Sequence, residues 1–229
     1  RLADVPGAGN SGVFYLASSG FEPATPGALR KTLDDGATFT SLGGGLSTLT
    51  GYNAVAVDPA DANRVLAGTD FSSCPLAGCL PTDPSIPALF RSIDGGSTWT
   101  GVFTNGGPTG VRSRVDSISF GAAGNVYAVV DNVVLRSTDS GATWAAVAGS
   151  TVAAPLRVSA HPTLAATVFV STSFGVQVST NGGASFGPVS TSLTPNGTYV
   201  ESVPPARVLQ ATVSNVAFDS GFPAAGSSI

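Results

Sequence analysis

One short phrase recurs four times in the 229-residue chain, as "LRKTLDDGATFTSL", "LFRSIDGGSTWTGV", "VLRSTDSGATWAAV" and "VQVSTNGGASFGPV". Alignment of the copies gives a Ser/Thr column of Thr32, Ser92, Ser137 and Ser179, then Asp34, Asp94, Asp139 and Asn181, then Gly36, Gly96, Gly141 and Gly183. Thr38, Thr98, Thr143 and Ser185 follow, and the aromatic column is Phe39, Trp99, Trp144 and Phe186. The repeated glycines are 60, 45 and 42 residues apart. That period is the size of one four-stranded propeller blade with loops of variable length.

Each column has a local physical reason. An Asp or Asn just after a strand accepts hydrogen bonds from backbone N–H groups a few residues on and so closes a tight turn. The glycine supplies the positive φ such a turn requires. The aromatic residue opens the return strand and brings a large apolar face to bury between neighbouring sheets. Composition agrees with many short strands, since 29 Gly and 16 Pro disfavour long helices. With 42% hydrophobic and only 10% charged residues, the chain can bury a large core.

The pattern S/T-x-D-x-G-x-T/S-W/F resembles the Asp-box, or bacterial neuraminidase repeat, with Asn181 as the one departure in the Asp column. The resemblance implies an all-β chain, a β-propeller of four-stranded blades in which each box forms the outer turn between third and fourth strands, away from any active site. The twelve residues Asp34, Gly36, Phe39, Asp94, Gly96, Trp99, Asp139, Gly141, Trp144, Asn181, Gly183 and Phe186 are then structural. A second echo supports blades: "YNAVAVDPADANRVLAGTD", "VDSISFGAAGNVYAVVD", "LRVSAHPTLAATVFVSTS" and "VSNVAFDSGFPAAGSSI" each begin with an alternating inner strand. The amino terminus shows "GVFYLASSG", a second strand with no clear inner strand of its own. Either the carboxy-terminal strand completes that first blade, or the chain is a slice of a longer propeller. About four to five blades are expected in a single propeller domain or propeller fragment spanning 1–229, since "TYVESV" and "ARVLQATV" read as strands of a degenerate blade.

The remaining features bound function. A net charge of −4 with no Lys or Arg run argues against nucleic acid. No apolar stretch reaches the roughly 20 residues of a spanning helix, so no membrane span is expected. The absence of Met reads as a processed product or fragment. Cys74 and Cys79, the only cysteines, fit a small disulfide ring and an oxidising, extracellular or periplasmic setting; free thiols and a metal pair stand as alternatives. No metal site and no cofactor is expected, because His161 is the lone histidine. It belongs to the turn after an inner strand. "NGT" at Asn196 is a glycosylation sequon.

Loops on the face opposite the boxes carry the candidate binding residues Asp70, Arg112, Arg114, Asp116, Tyr199 and Glu201, with Glu22 and Asp83 in loops of the same face. Arg112 and Arg114 beside one acid suit an acidic peptide or a sugar acid. A sialidase needs three arginines for its substrate carboxylate. Arg30, Arg91 and Arg136 precede boxes, which leaves Arg64, Arg112, Arg114, Arg157 and Arg207. The blades are also similar to those of xyloglucan-active endoglucanases, which work with paired carboxylates, and to those of photosystem assembly factors and sortilin-type receptors. No nucleophile elbow, zinc-protease motif or phosphate loop occurs. The expectation is a secreted, non-catalytic module that recognises a protein or glycan through one loop face, or associates with a second propeller or further copies. The alternative is a glycoside hydrolase propeller, xyloglucanase-like or sialidase-like.

Overall fold

A computed structural model of the chain describes residues 2–5, 12–19, 28–47, 50–70, 86–104, 113–147 and 152–188. These residues form four antiparallel sheets of four strands each, laid down in chain order. The first sheet holds β1 (Leu2–Asp4), β2 (Phe14–Ala17), β3 (Leu29–Thr32) and β4 (Thr40–Ser41). The second holds β5 (Gly51–Asp58), β6 (Asp61–Asp70), β7 (Leu89–Ser92) and β8 (Thr100–Phe103). The third holds β9 (Val115–Phe120), β10 (Val126–Val130), β11 (Val133–Ser137) and β12 (Ala145–Ala146). The fourth holds β13 (Pro155–Ala160), β14 (Val168–Thr172), β15 (Gly175–Ser179) and β16 (Gly187–Pro188). The only helical segment among the described residues is a single 3-10 turn at Ala122–Gly124. Strand order within every sheet follows the chain, as expected for blades.

Second strands are the most deeply buried. All five residues of β10 are buried, because a sheet lies against each of its faces, and all five of β14 are buried too. This explains why "VYAVV" and "VFVST" read as continuous rather than alternating runs. Successive side chains serve opposite neighbours. Val65 and Ala67 join the cluster between the first and second sheets, with Tyr15, Leu29, Tyr52 and Trp99. Ala128 and Val130 pack between the second and third sheets with Val115 and Leu89, whereas Tyr127 and Val129 pack between the third and fourth with Val158 and Val168. The core is thus a series of inter-sheet layers. At Gly68 the approach is so close that a Cβ would stand 2.5 Å from Val115 Cγ1.

Each repeated turn sits between the third and fourth strand of its sheet, where the sequence puts it. In the second sheet Ser92 Oγ donates to Asp94 Oδ1 (2.8 Å) and accepts the Gly96 N–H (2.8 Å). Asp94 Oδ1 accepts the Thr98 N–H (2.9 Å), and Thr98 Oγ1 donates to Asp94 Oδ2 (2.6 Å). Asp34 and Asp139 make the same set. The glycine takes φ of +86°, +88°, +84° and +92° at Gly36, Gly96, Gly141 and Gly183. Asn181 shows how the motif tolerates an amide. Its Oδ1 accepts from Ser179 Oγ and the Ser185 N–H, while Nδ2 donates to Ser185 Oγ, reversing one bond.

Hydrogen bonds from the Thr38, Thr98 and Thr143 hydroxyls, reinforced by the same residues' N–H groups, hold Asp34, Asp94 and Asp139 down to about 2. A depressed carboxylate pKa contributes stability that is full above its unfolded value and lost as pH falls through the folded value. The urea midpoint is therefore expected to be level above about pH 5 and to fall between about pH 4 and 2. Asp94→Asn, which copies the fourth turn, should make that fall shallower with little loss at pH 7. An unchanged slope would mean that the turn carboxylates are not the groups titrating.

One sequence expectation fails at the amino terminus. The first sheet has its own inner strand, β1, pairing Leu2 with Leu16, Ala3 with Tyr15 and Asp4 with Phe14. The position that one of the two alternatives gave to a carboxy-terminal strand is taken by β1. Three residues are too short to show an alternating pattern, so nothing in "LAD" announced a strand.

Candidate functional site

The sheets present two sets of connections. Each repeated turn lies beside the turn between first and second strands of its own sheet: the N–H groups of Asp35, Gly95, Ser140 and Gly182 donate to the carbonyls of Gly12, Asn63, Gly124 and Ala166. The connections from second to third strand, and from one sheet to the next, open on the opposite face. There β6 ends at Asp70, β9 begins at Val115 and β10 turns into β11 through Asp131 and Asn132.

Three expected residues and one unexpected residue meet on that face. Asp70 pairs with Arg114 in an isolated antiparallel bridge between the second and third sheets. Arg114 Nε holds Asp116 Oδ1 at 2.8 Å. The Arg114 N–H donates to Asp131 Oδ1 (2.6 Å), and the Asp131 N–H donates to the Arg114 carbonyl (3.0 Å). Asp116 lies at an irregularity of the inner strand, where the β9–β10 register shifts between Val129 and Val130. The equivalent irregularity on β5 falls at Asn53, whose Nδ2 donates to the Val115 carbonyl (3.0 Å) and ties two inner strands together.

Among the described residues the patch carries three carboxylates and one guanidinium, which is paired with Asp116. Burial pushes the Asp116 carboxyl above its ordinary value; Arg114 pulls it down, and Asp70 and Asp131 push it up again. Arg114 is half exposed and Asp116 mostly covered, while Asp70 is only 5% exposed. The expectation of an anion site rested on Arg112 together with Arg114, and Arg112 lies outside the described residues. The carboxylates do not converge as a ligand set: among the described residues no group of three His, Cys, Asp or Glu is placed to hold a metal ion. Asp131 carried a signal that could have found it. "DN" between two apolar runs is a two-residue hairpin turn, and both residues take positive φ, +48° and +64°.

Other expected residues fall elsewhere. Arg64 pairs with Asp58 and Asp61 at the turn between β5 and β6, on the side of the repeated turns, so it does not join Arg114. Arg157 lies on β13, half-buried. His161 follows β13 as expected; its Nδ1 accepts the N–H groups of Thr163 and Leu164 (3.2 and 3.1 Å), and burial lowers its pKa. Cys74, Cys79, Arg112, Tyr199 and Glu201, with Glu22, Asp83, Asn196 and Arg207, lie outside the described residues. A cleft of about 400 Å³ separates the outer edge of the third sheet from the turn of the fourth, beside Trp144, Val147 and Gly182. Its one cation, Arg136, is engaged by Asn125 Oδ1 and the Gly182 carbonyl.

Solved structures decide what the stacked sheets are. An ancestral GH74 enzyme is similar over 83% of this chain and 24% of its own, with 21% identity and a TM-score of 0.56. A Niastella koreensis GH74 enzyme matches over 82% of this chain and 29% of its own, at 22% identity and a TM-score of 0.52. The fold is a β-propeller. A chain of a nidogen/laminin complex matches over 77% of this propeller and 57% of its own length, at 10% identity and a TM-score of 0.51. This chain therefore spans about a quarter of the two GH74 enzymes. No family model matches the sequence, and no curated protein does. Among the described residues no helix is long and apolar enough to cross a membrane.

Proposed function

We propose that this chain is an Asp-box propeller module that binds, without chemistry, a cationic segment of another protein through the face opposite its repeated turns. The observation that carries the reading is the meeting of Asp70, Asp116 and Asp131 from two adjacent blades around a single, already paired Arg114. A ligand that brings Lys or Arg side chains carries charges complementary to these three carboxylates. The four turns leave this face free for recognition, because their side chains satisfy one another. We place the module outside the cell or in the periplasm as a single propeller domain. A Cys74–Cys79 disulfide agrees with that setting.

The test is fluorescence anisotropy with a labelled Lys/Arg-rich dodecapeptide, an acidic dodecapeptide and a xyloglucan oligosaccharide as probes. Binding of the basic peptide alone is expected. Asp70→Asn and Asp131→Asn should each weaken it by about two- to fivefold, with further loss at high salt. Asn suits position 131 because it also accepts positive φ. Equal binding of both peptides, or none, would sink the proposal.

A second reading is favoured by one feature. The raised Asp116 carboxyl beside other carboxylates resembles the acid member of a glycosidase pair. If the oligosaccharide is hydrolysed and Asp116→Asn abolishes turnover, the module is a hydrolase propeller instead.

A further inference from the structure

The fourth repeated turn differs from the other three in carrying an amide where they carry a carboxylate, and that amide stands next to glycine. The turn reads Ser179, Thr180, Asn181, Gly182, Gly183. A side-chain amide followed by glycine is open to attack by the next backbone nitrogen, because glycine puts no side chain in the way. Asn181 is exposed, whereas Gly182 is buried. The fold presents the amide to water and covers the nitrogen that attacks it.

The reacting groups are held apart by hydrogen bonds. The Gly182 N–H donates to the Ala166 carbonyl at 2.7 Å. Asn181 Oδ1 accepts from Ser179 Oγ (2.8 Å) and from the Ser185 N–H (3.0 Å), and Nδ2 donates to Ser185 Oγ (2.8 Å). The buried Ser179 Oγ also accepts the Gly183 N–H (2.8 Å) and so closes the turn. Cyclisation needs the Gly182 nitrogen released from Ala166 and the Asn181 side chain swung onto it, so it needs the turn to open.

The surroundings suit a carboxylate. The residue just before the Ser/Thr column is Lys31, Arg91 and Arg136 in the first three blades. Each reaches across to the next blade and donates to the carbonyl one residue after the Asp/Asn column: Lys31 Nζ to Gly95 (2.9 Å), Arg91 Nε to Ser140 (3.0 Å) and Arg136 Nη1 to Gly182 (3.1 Å). In the second and third blades the cation thus arrives one residue from the carboxylates of Asp94 and Asp139. In the fourth it arrives one residue from an amide. Ser185 Oγ, which accepts from Asn181 Nδ2, has only to turn its proton to donate to a carboxylate, as Thr98 Oγ1 donates to Asp94 Oδ2 (2.6 Å).

We propose that Asn181 is a site of spontaneous deamidation, gated by opening of the fourth turn, whose normal aspartate product completes that turn as Asp34, Asp94 and Asp139 complete the others. The Gly182 nitrogen gives its proton to hydroxide and bonds to Asn181 Cγ, and Nδ2 leaves as ammonia with a proton from water. Water then adds to the succinimide ring. Breaking its Cγ–N bond gives aspartate, and breaking the bond between the backbone carbonyl carbon and nitrogen gives isoaspartate. The sum is amide and water going to carboxylic acid and ammonia, with no oxidant or reductant. Isoaspartate routes the main chain through Cβ and lengthens it by one carbon, which destroys the spacing on which the bonds to Ser179 and Ser185 rest.

The test incubates the full chain at mildly alkaline pH, with and without denaturing urea, and reads position 181 by peptide mass spectrometry that separates aspartate from isoaspartate. Loss of the amide is expected to be at least about tenfold slower in the folded chain than in urea. Ser179→Ala should speed the folded reaction about fivefold, as for loss of one hydrogen bond that keeps the turn closed, and leave the rate in urea unchanged. Ser185→Ala, at an exposed position, should act in the same direction. Equal rates in the folded chain and in urea would overturn the gating. So would a Ser179→Ala chain that reacts more slowly when folded, since the hydroxyl would then be activating the amide. No conversion in urea would remove the site. Asn181→Asp should keep the parent's thermal midpoint at pH 7, and protease treatment of an aged, refolded sample should leave aspartate in the resistant fraction and isoaspartate in the digested one. A clearly lower midpoint, or isoaspartate equally abundant in the resistant fraction, would overturn the claim that the aspartate product completes the turn.

Discussion

Gly68→Val is expected to abolish the native fold or drive the protein to the insoluble fraction. The second strand of the second blade runs so close to the inner strand of the third that a Cβ at position 68 would overlap Val115 Cβ. Neither partner can swing aside, because the approach is between the first side-chain atoms of two packed strands. Even Gly68→Ala should cost about 1–3 kcal/mol as an overpacked core does, and Val adds two further methyl groups. Against a typical total of about 5–15 kcal/mol, the larger substitution leaves little. The measurement is the urea midpoint of Gly68→Ala, with Val115→Ala as the second site. The double variant should recover part of the loss, because the two sites share one space. A Gly68→Ala midpoint equal to that of the parent would mean that the blades are not packed this closely.

Trp99→Ala should cost about 3–5 kcal/mol, the usual range for emptying a buried aromatic site. Trp99 is only 5% exposed, packs in the layer between the first and second blades, and donates its indole N–H to the Gly96 carbonyl (3.0 Å). Its own N–H also receives cover from the preceding blade, donating to the Gly44 carbonyl at 2.7 Å. Trp144→Ala, in the same column but half-buried, should cost clearly less. Thermal midpoints of the two variants check the order. Equal losses would indicate that the column works through its local turn and not through the neighbouring blade.

The repeated turn was legible because its chemistry is local. Ser92, Asp94, Gly96 and Thr98 bond one another within six residues of chain, so the residue types and spacing contain the structure. The long second strands were legible from their apolar runs. The latch from Lys31, Arg91 and Arg136 to the next blade was not, because the acceptor is a backbone carbonyl 64, 49 and 46 residues away and any residue type provides one. Those two arginines had been set aside as scaffold, which their position supports, without a sign of what they hold. The candidate face was half legible. Asp70, Arg114 and Asp116 were named from loop position, but the bridge that joins Asp70 to Arg114 and the arrival of Asp131 depend on how adjacent blades stack. The carboxylates that gather beside Arg114 depend on the same stacking, while Arg112, the second arginine of the expected anion site, lies outside the described residues.

Among the described residues three of the four outermost strands have only two residues each, β4 (Thr40–Ser41), β12 (Ala145–Ala146) and β16 (Gly187–Pro188). A sheet edge with free N–H and C=O groups is a template for pairing with another chain, and a long flat edge invites fibrils. In these three blades the rim offers at most a pair of peptide groups before the strand ends, and in the fourth blade one of these is a proline nitrogen with no hydrogen to donate. A propeller arc made of such blades can expose several sheet edges at once and still resist edge-to-edge aggregation.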